Sequence, residues 1–530
     1  MPEYLSPGVY VEEVNSGPKP IEAVGTAMAV FVGFSERAER TETVNGEKIT
    51  KDLLNKPQLV TNWTQYVESF GSFVSGAFMP HSVYGYFLNG GSRCYVMSVK
   101  TLPRAQTVLL NGEGKPKLIV RAKQAGFDGM QLRVKIEHEV NGSGPAADGL
   151  NPFTVTVERQ GRTGAWVPKE VVRQVRLEEV TDAAGAKSVT VTYRNNRAPQ
   201  SINLVLPENG TEPLAALWPR PQEQSLTIQE QLMSPIGYAD YQGDVTERTG
   251  IEGLAELDDA TIIVVPDLMN VPPGQKLDLD MVKAVQTLII GHCEQMADRV
   301  AVLDAPPNLS PQEIGKWRMD IAGYDSSYAT LYYPWIEIMD PVANEKIAFP
   351  PSGHVAGVWA RNDNTRGVHK APANEVIRGA IGLVRNVTKG EHDTLNPNGV
   401  NVIRAFPGMG IRVWGARTLS SDPSWRYLNV RRLFNMIKKS IERGTMWAVF
   451  EPNDERLWSR LSRDVTSFLS VIWSTGALFG ASPTQSFFVK CDAELNPTAS
   501  RDLGRLVMEI GVSPVKPAEF VIFRISQWSE

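Results

Sequence analysis

With 530 residues, 42% of them hydrophobic and 21% charged, the chain is too long for one core and too apolar for a disordered or fibrous protein. A formal charge of −5 over that length argues against wholesale coating of nucleic acid. Three scattered cysteines, Cys94, Cys293 and Cys491, form no CxxC pair and suit a reducing compartment, where thiols act as small core residues.

Met1-Pro2-Glu3 opens no basic, apolar leader, and the longest apolar runs, such as 27–33 and 261–266, are strand-sized. The expectation is a chain made in the bacterial cytoplasm without membrane insertion. Ser6-Pro7-Gly8 signals a turn before a β-prone run over 9–14. Asn15-Ser16-Gly17-Pro18-Lys19-Pro20 then breaks regular structure and reads as an extended linker. The first strand is therefore an arm, apolar enough to want a partner, tied to a body whose first buried strand spans 26–34. Helices are predicted at 62–70 and 80–89, and a strand at 92–99. From about 101 the pattern changes to successive strands near 117–123, 130–140, 152–160, 169–180, 187–194 and 201–207. Gly, Pro and Asn turns separate them, the signature of an all-β insert that ends in a Pro- and Gln-rich stretch around 219–233. Alternating elements then return, with strands at 261–265, 300–304 and 328–338 and helices at 277–299 and 310–321. That order predicts a mainly parallel sheet.

Parallel sheets often bind nucleotides, yet no GxxxxGK loop followed by Ser or Thr occurs, and no GxGxxG follows a strand. The nearest glycine clusters are Gly408-Met409-Gly410 and Gly353-His354-Val355-Ala356-Gly357. HExxH and GxSxG are also absent. His81, His138, His292, His354, His369 and His392 stand singly, without a His or Cys three or four residues on. Asp258-Asp259 reads as a solvated turn. No catalytic residue, metal ligand or cofactor is expected.

The C-terminal third differs. In 425–443, Tyr427, Val430, Phe434, Ile437 and Ile441 recur at steps of three and four as one helical stripe, with Arg431, Arg432, Lys438, Lys439 and Arg443 on other faces. A second helix follows Pro452-Asn453-Asp454. Leu457, Leu461, Val465, Phe468, Leu469 and Ile472 line one side of it, and Arg456, Arg460 and Arg463 the opposite side. Between 426 and 463, nine Lys or Arg stand against four Asp or Glu, a local excess of cations in an acidic chain. The patch is either a solvated face or a landing strip for an acidic partner. Nucleic acid ranks lower as that partner, because no aromatic residue interleaves the exposed arginines. Strand signals follow at 487–491 and 505–512, and Pro514 and Pro517 turn the chain before a final run at 519–526 with the highest β propensity in the protein. As an exposed edge that run would aggregate, so something must pair with it, in this subunit or another.

Four long collinear blocks carry a resemblance. They are YLSPGVYVEEVNSGPKPIEAVGTAMAVFVG at the start, PPSGHVAGVWARNDNTRGVHKAPAN at 350–374, GVNVIRAFPGMGIRVWGARTL at 399–419, and a final run. That run extends from Trp425 through Phe450-Glu451-Pro452-Asn453, Leu457-Trp458, Gly476-Ala477-Leu478 and Ser486-Phe487-Phe488-Val489 to the VIFRIS end. Together they resemble the contractile tail sheath family of myophages, R-type pyocins and extracellular contractile injection systems, over about 1–100 and 235–530. The resemblance implies an α/β (α+β) multidomain fold: an N-terminal arm at 1–25, a discontinuous core at 26–100 and 351–512, an α/β domain at 234–350, an inserted all-β outer domain at 101–233, and a C-terminal β arm at 513–530. It implies stacked hexameric rings of this chain around an inner tube, bounded by baseplate and terminator or cap proteins, that contract to drive the tube through an envelope. It implies strand exchange between subunits through Val9, Tyr10, Val11, Val14, Phe520, Val521, Ile522, Phe523 and Ile525. A charged C-terminal-domain helix would hold the tube: the Arg456, Arg460 and Arg463 face matches best, and the 431–443 face with Lys438 and Lys439 comes second. The competing expectation is an α/β enzyme with a β accessory domain.

Overall fold

The computed structural model describes residues 20–44, 47–139, 151–161, 163–181, 187–206, 213–229, 236–342 and 344–524. The predicted strand at 9–14 and Ile525 lie outside the described residues. The chain forms two compact units, one of Ala27–Gly367 with Ala371–Leu428, the other of Met1–Thr26 with Val368–Lys370 and Asn429–Glu530.

The larger unit is organised by short apolar strands. They are β1 (Ala29–Ser35), β2 (Gln58–Val60), β3 (Cys94–Thr101), β4 (Ile262–Val264), β5 (Val300–Asp304), β6 (Ala329–Tyr333), β7 (Glu375–Val376), β8 (Val400–Phe406) and β9 (Gly410–Val413). They form one sheet in the order β7-β9-β8-β6-β5-β4-β1-β3-β2. The six strands from β8 to β3 run parallel, as the alternating pattern predicts, and antiparallel strands close both edges. The strand predicted at 328–338 divides into β6 and a separate Ile336–Met339, because Pro334 cannot donate to a ladder. Both faces are covered, so the strands are apolar on both sides. Val30, Val32, Ile263, Ala301 and Leu303 pack in one layer with Val282, Val285 and Ile289 of α3 (Leu279–Met296). Ala29, Phe31, Ile262, Val264, Val300 and Val302 pack in the other with Tyr66 of α1 (Trp63–Phe70), Val83 and Tyr86 of α2 (Met79–Asn89), and Val355 and Trp359 of α4 (Ser352–Arg366).

Helices α2 and α4 meet backbone to backbone. A Cβ placed on Gly353 would stand 2.6 Å from the Ser82 Cα, and one on Gly357 would stand 2.5 Å from the Tyr86 carbonyl oxygen. The glycine cluster at 353–357, which resembles a fragment of a phosphate loop, is therefore a helix-packing face.

Among the described residues, 106–225 of the same unit are all-β apart from short turns of helix. A five-stranded antiparallel sheet joins Lys187–Thr192, Trp166–Thr181, Phe153–Gln160, Leu132–His138 and Gln222–Ser225, and a three-stranded sheet joins Ile202–Val205, Pro116–Ala122 and Gln106–Leu110. Leu109, Val120, Val134, Phe153, Val155 and Trp218 share their core. Two of these strands, Gln106–Leu110 and Gln222–Ser225, escape the sequence pattern, as does a hairpin of Glu39–Val44 with Glu47–Asp52. Its connection is Asn45-Gly46, a strong tight-turn signal between charged strands of low β propensity.

The smaller unit packs α5 (Leu428–Thr445) and α6 (Glu455–Ser474) around Leu433, Met436, Ile437, Val465, Phe468, Leu469 and Ile472. Asp454 caps α6 by accepting from the amides of Arg456 and Leu457 at 3.0 and 2.9 Å. A two-stranded ribbon, β10 (Phe487–Lys490) with β11 (Glu509–Val512), completes it. The strand predicted at 505–512 is present only in its second half.

Two glycines give opposite expectations. Gly353→Val forces a side chain into the α2 backbone and should lower stability by about 3 kcal/mol. Gly291→Ala, in α3 with nothing within 4 Å of its Cβ position, should raise stability by about 1 kcal/mol. Chemical denaturation of both variants checks the pair.

Candidate assembly surfaces

The C-terminal edge of the parallel sheet is where chemistry would sit. Strand order reverses between β1 and β4, and open α/β sheets bind ligands in such a crevice. Here Asp267, just past β4, lines it together with Phe34 and Asn270. Its carboxylate accepts from the amides of Phe34 at 2.7 Å, Phe78 and Met79 (3.0 Å), and from Asn270 Nδ2 at 3.3 Å. Four donors saturate the two oxygens, and a protein carboxylate takes the helix N-terminus that a bound phosphate would otherwise use. Asp304, at the end of β5, does the same for α4, accepting from the Ser352 amide at 2.9 Å and from its hydroxyl. Burial pushes Asp304 up to about 7 and Asp267 up to about 6, with the hydrogen bonds pulling the other way.

His138 Nε2 lies 2.8 Å from the Pro219 carbonyl. Burial, and then Arg299, hold His292 down at about 4; burial, and then His81, hold His354 down at about 3. Among the described residues no three His, Cys, Asp or Glu side chains converge as metal ligands.

The smaller unit presents polar and apolar surface instead. On α6, Leu457, Leu461, Val465, Phe468, Leu469 and Ile472 are buried, while Arg456 is exposed and the Arg463 side chain is 74% exposed. Arg460 is half-buried, its guanidinium 4.0 Å from the Trp447 ring centroid. The basic residues of α5 do not share one surface. Arg431 and Arg432 are buried, Lys438 is exposed, and Lys439 is mostly covered, 3.5 Å from Glu442. Periodicity could not distinguish these arginines from solvated ones, and Arg432 is covered from the chain's opposite end. Arg432 donates to the Thr26 carbonyl at 2.9 Å, the Val24 amide donates to Ser440 Oγ at 3.0 Å, and Ile21 lies against Gly444. Residues 20–26 are thus docked on α5. The apolar pair Ile21 and Val24 just after the Pro20 break is the signal that could have revealed it.

Among the described residues, β10 and β11 pair as strands only with each other, and Phe488 lies across Gly511, its cross-strand partner. Beyond β11 the chain bonds through Val515 to Ala477 and Asn429, then runs on as Phe520, Val521, Ile522 and Phe523, each 68–84% exposed and in no strand.

Comparison with known proteins identifies the class to which this architecture belongs. Residues 250–419 match the phage tail sheath protein central domain, and 420–527 match the phage tail sheath C-terminal domain, together more than half of the chain. The chain belongs to the phage tail sheath family and is a structural subunit. It is 27% identical over 317 residues to a putative prophage major tail sheath protein of Pseudomonas aeruginosa (strain UCBPP-PA14), over 58% of this chain and 76% of that one. It is 30% identical over 176 residues to the tail sheath protein of Vibrio phage KVP40, over 32% of this chain and 25% of that protein's length. Its fold matches the sheath complex of an extracellular contractile injection system in the contracted state, with TM-score 0.57, 21% identity and 99% of each chain covered. It also matches the contracted helical sheath of the anti-feeding prophage, with TM-score 0.55, 21% identity, and 98% and 99% coverage.

Asp304 sets a pH dependence. Its folded value lies above the ordinary carboxylate range, so its contribution to stability is greatest below about pH 4 and is lost as pH rises to about 7. Asp304→Asn keeps an acceptor for the Ser352 amide and removes the titration. Denaturation midpoints between pH 4.5 and 8 should fall less for the variant than for the parent; parallel curves would refute this.

Proposed function

We propose that this chain polymerises as stacked rings around an inner tube and contracts, with neighbouring subunits joined by exchanged strands and the tube held by the arginine face of α6. The observation that carries the reading is the presence within one unit of an apolar terminal segment, 520–523, outside any strand, and a ribbon, β10–β11, whose strands pair only with each other among the described residues. Family membership and the fold's likeness to contracted sheaths support it. So does the β-rich segment at 106–225, proposed as the outward-facing insert. Its five-stranded sheet carries a charge ladder in which Arg133 sits 2.6 Å from Glu158 and 3.1 Å from Glu223.

Added strands need their side chains. About five backbone hydrogen bonds contribute about 0.5–1.5 kcal/mol each, and ordering about six residues costs about 1–2 kcal/mol per residue, so pairing alone falls short. Burying side chains such as Phe520 and Ile522 adds about 1.5–3 kcal/mol apiece. With no nucleotide chemistry in the mechanism, the work of contraction is stored at assembly as metastable subunit packing, and linkers such as 15–20 re-angle while pairing persists. Assembly takes place in the bacterial cytoplasm, onto a baseplate and up to a terminator.

Deleting residues 1–14 or 519–530 should therefore give a soluble, cooperatively melting protein that forms no tubes by negative-stain microscopy. Normal sheaths from the 1–14 deletion would end the strand-exchange reading. Reversing Arg456, Arg460 and Arg463 to Glu should weaken assembly on the tube at low salt without unfolding the subunit. Undiminished co-assembly would exclude this face.

A further inference from the structure

Beside Asp267, the crevice at the reversal of strand order deepens into a cavity of about 310 Å³. Ligand pockets run from roughly 300 to 1,000 Å³, and open α/β sheets place them at this position. Phe34 near the end of β1, Leu102 just past β3, Leu268, and Met281 in the first turn of α3 give the cavity an apolar wall. Two groups in that wall are out of keeping with it. Tyr241, from the short helix Tyr238–Gln242, is 2% exposed, and its hydroxyl makes no hydrogen bond among the described residues. A buried hydroxyl without a partner is unfavourable, and packing alone would be served as well by phenylalanine. Lys100, in β3, is half-buried, its ammonium 6.0 Å from the Phe34 ring centroid. Burial holds Lys100 below the usual lysine range, and Asp240 only partly offsets it.

The carboxylates around the cavity are committed to the chain's own donors. Asp267 accepts the four donors described above, and Asp278 caps α3 by accepting from the amides of Asp280 and Met281 at 3.0 Å each. Asp240, which acts electrostatically on both Tyr241 and Lys100, accepts from the Gly237 amide at 2.8 Å. The phenol and the ammonium, by contrast, are donors, and exposed Lys276 adds a second ammonium at the rim. The complement to this wall is a molecule with an apolar body and, at one end, acceptor oxygens that carry negative charge. A nucleotide or a free phosphate has no apolar body to place against Phe34 and Met281. We propose that the cavity binds a small apolar carboxylic acid, with its carboxylate taken by Tyr241 Oη and Lys100 Nζ and its hydrocarbon body lying against Phe34, Leu102, Leu268 and Met281. The proposal stands apart from the assembly mechanism above.

Charge and shape are separated by two ligands of equal chain length. The full-length subunit is titrated in a calorimeter with sodium octanoate and, separately, with octan-1-ol. The parent should take up one octanoate per subunit, at least about tenfold more tightly than octanol, and octanoate should raise its melting temperature. Lys100→Met keeps the apolar stem and should weaken octanoate at least about tenfold while leaving octanol unchanged. Tyr241→Phe should weaken both ligands, while the ligand-free variant melts at or above the parent's temperature. Met281→Trp places an indole in the cavity and should abolish the binding of both. Absence of saturable octanoate binding to the parent would overturn the proposal. So would octanoate binding that survives both Tyr241→Phe and Lys100→Met, which would put the ligand on exposed apolar surface elsewhere. Equal affinity for octanoate and octanol would refute the carboxylate assignment. A Tyr241→Phe variant that melts below the parent would show that the hydroxyl is bonded within the fold, and would remove the head-group site.

Discussion

Asp267 and Asp304 end neighbouring parallel strands, and each accepts the first free amides of a helix on the same face of the sheet. An anion at a helix N-terminus is favoured by the unpaired N–H groups and by the helix dipole. Burying the carboxylate opposes this, which is why both groups titrate above their usual range. The arrangement fixes where α2 and α4 begin, and from those starting points the two helices run into contact at Gly353 and Gly357 close enough for backbones to touch. The same carboxylates occupy the places where ligand-binding sheets of this topology admit a phosphate. The protein thus satisfies these two helix ends with its own carboxylates.

Rigidity of that kind suits the contractile role proposed above. The larger unit is a sheet buried on both faces, with Arg299 fully buried and tied to the Leu254 and Leu257 carbonyls and to Asp298. The smaller unit keeps its unspent capacity at the surface, in a two-stranded ribbon and an apolar tail. Exposed apolar strands and edges are a liability in a solitary protein and an asset in a polymer, where each is covered by the next subunit. On the proposed mechanism, the polymer changes shape by re-angling connections between rigid bodies whose interiors need no repacking.

Local patterning made much of this legible. The spacing of Leu457, Leu461, Val465, Phe468 and Ile472 marks the buried side of α6 without any knowledge of its neighbours, since helical periodicity is a property of consecutive residues. The β-branched runs of β1, β4 and β5 and the alternation of helix with strand likewise predict a parallel sheet. The blocks that carry the family resemblance are also linear, and they lead to the same family as the matches over 250–527. Where the pattern fell short, the strands themselves were charged, as in the hairpin of Glu39–Val44 with Glu47–Asp52, or a proline cut a strand, as at Pro334.

What the sequence by itself determined is therefore the set of elements, the polarity of their faces, the missing catalytic motifs and the family. The tertiary structure alone decided which surfaces remain free. Arg431 and Arg432 belong by composition to the same basic strip as Arg456, yet a segment some 400 residues earlier in the chain meets α5 and Arg432 bonds to Thr26. Gly353 and Gly357 prove to be a packing face only because Ser82 and Tyr86 lie against them. Each of these outcomes depends on a contact between residues remote in sequence, and no local pattern encodes the identity of a distant neighbour.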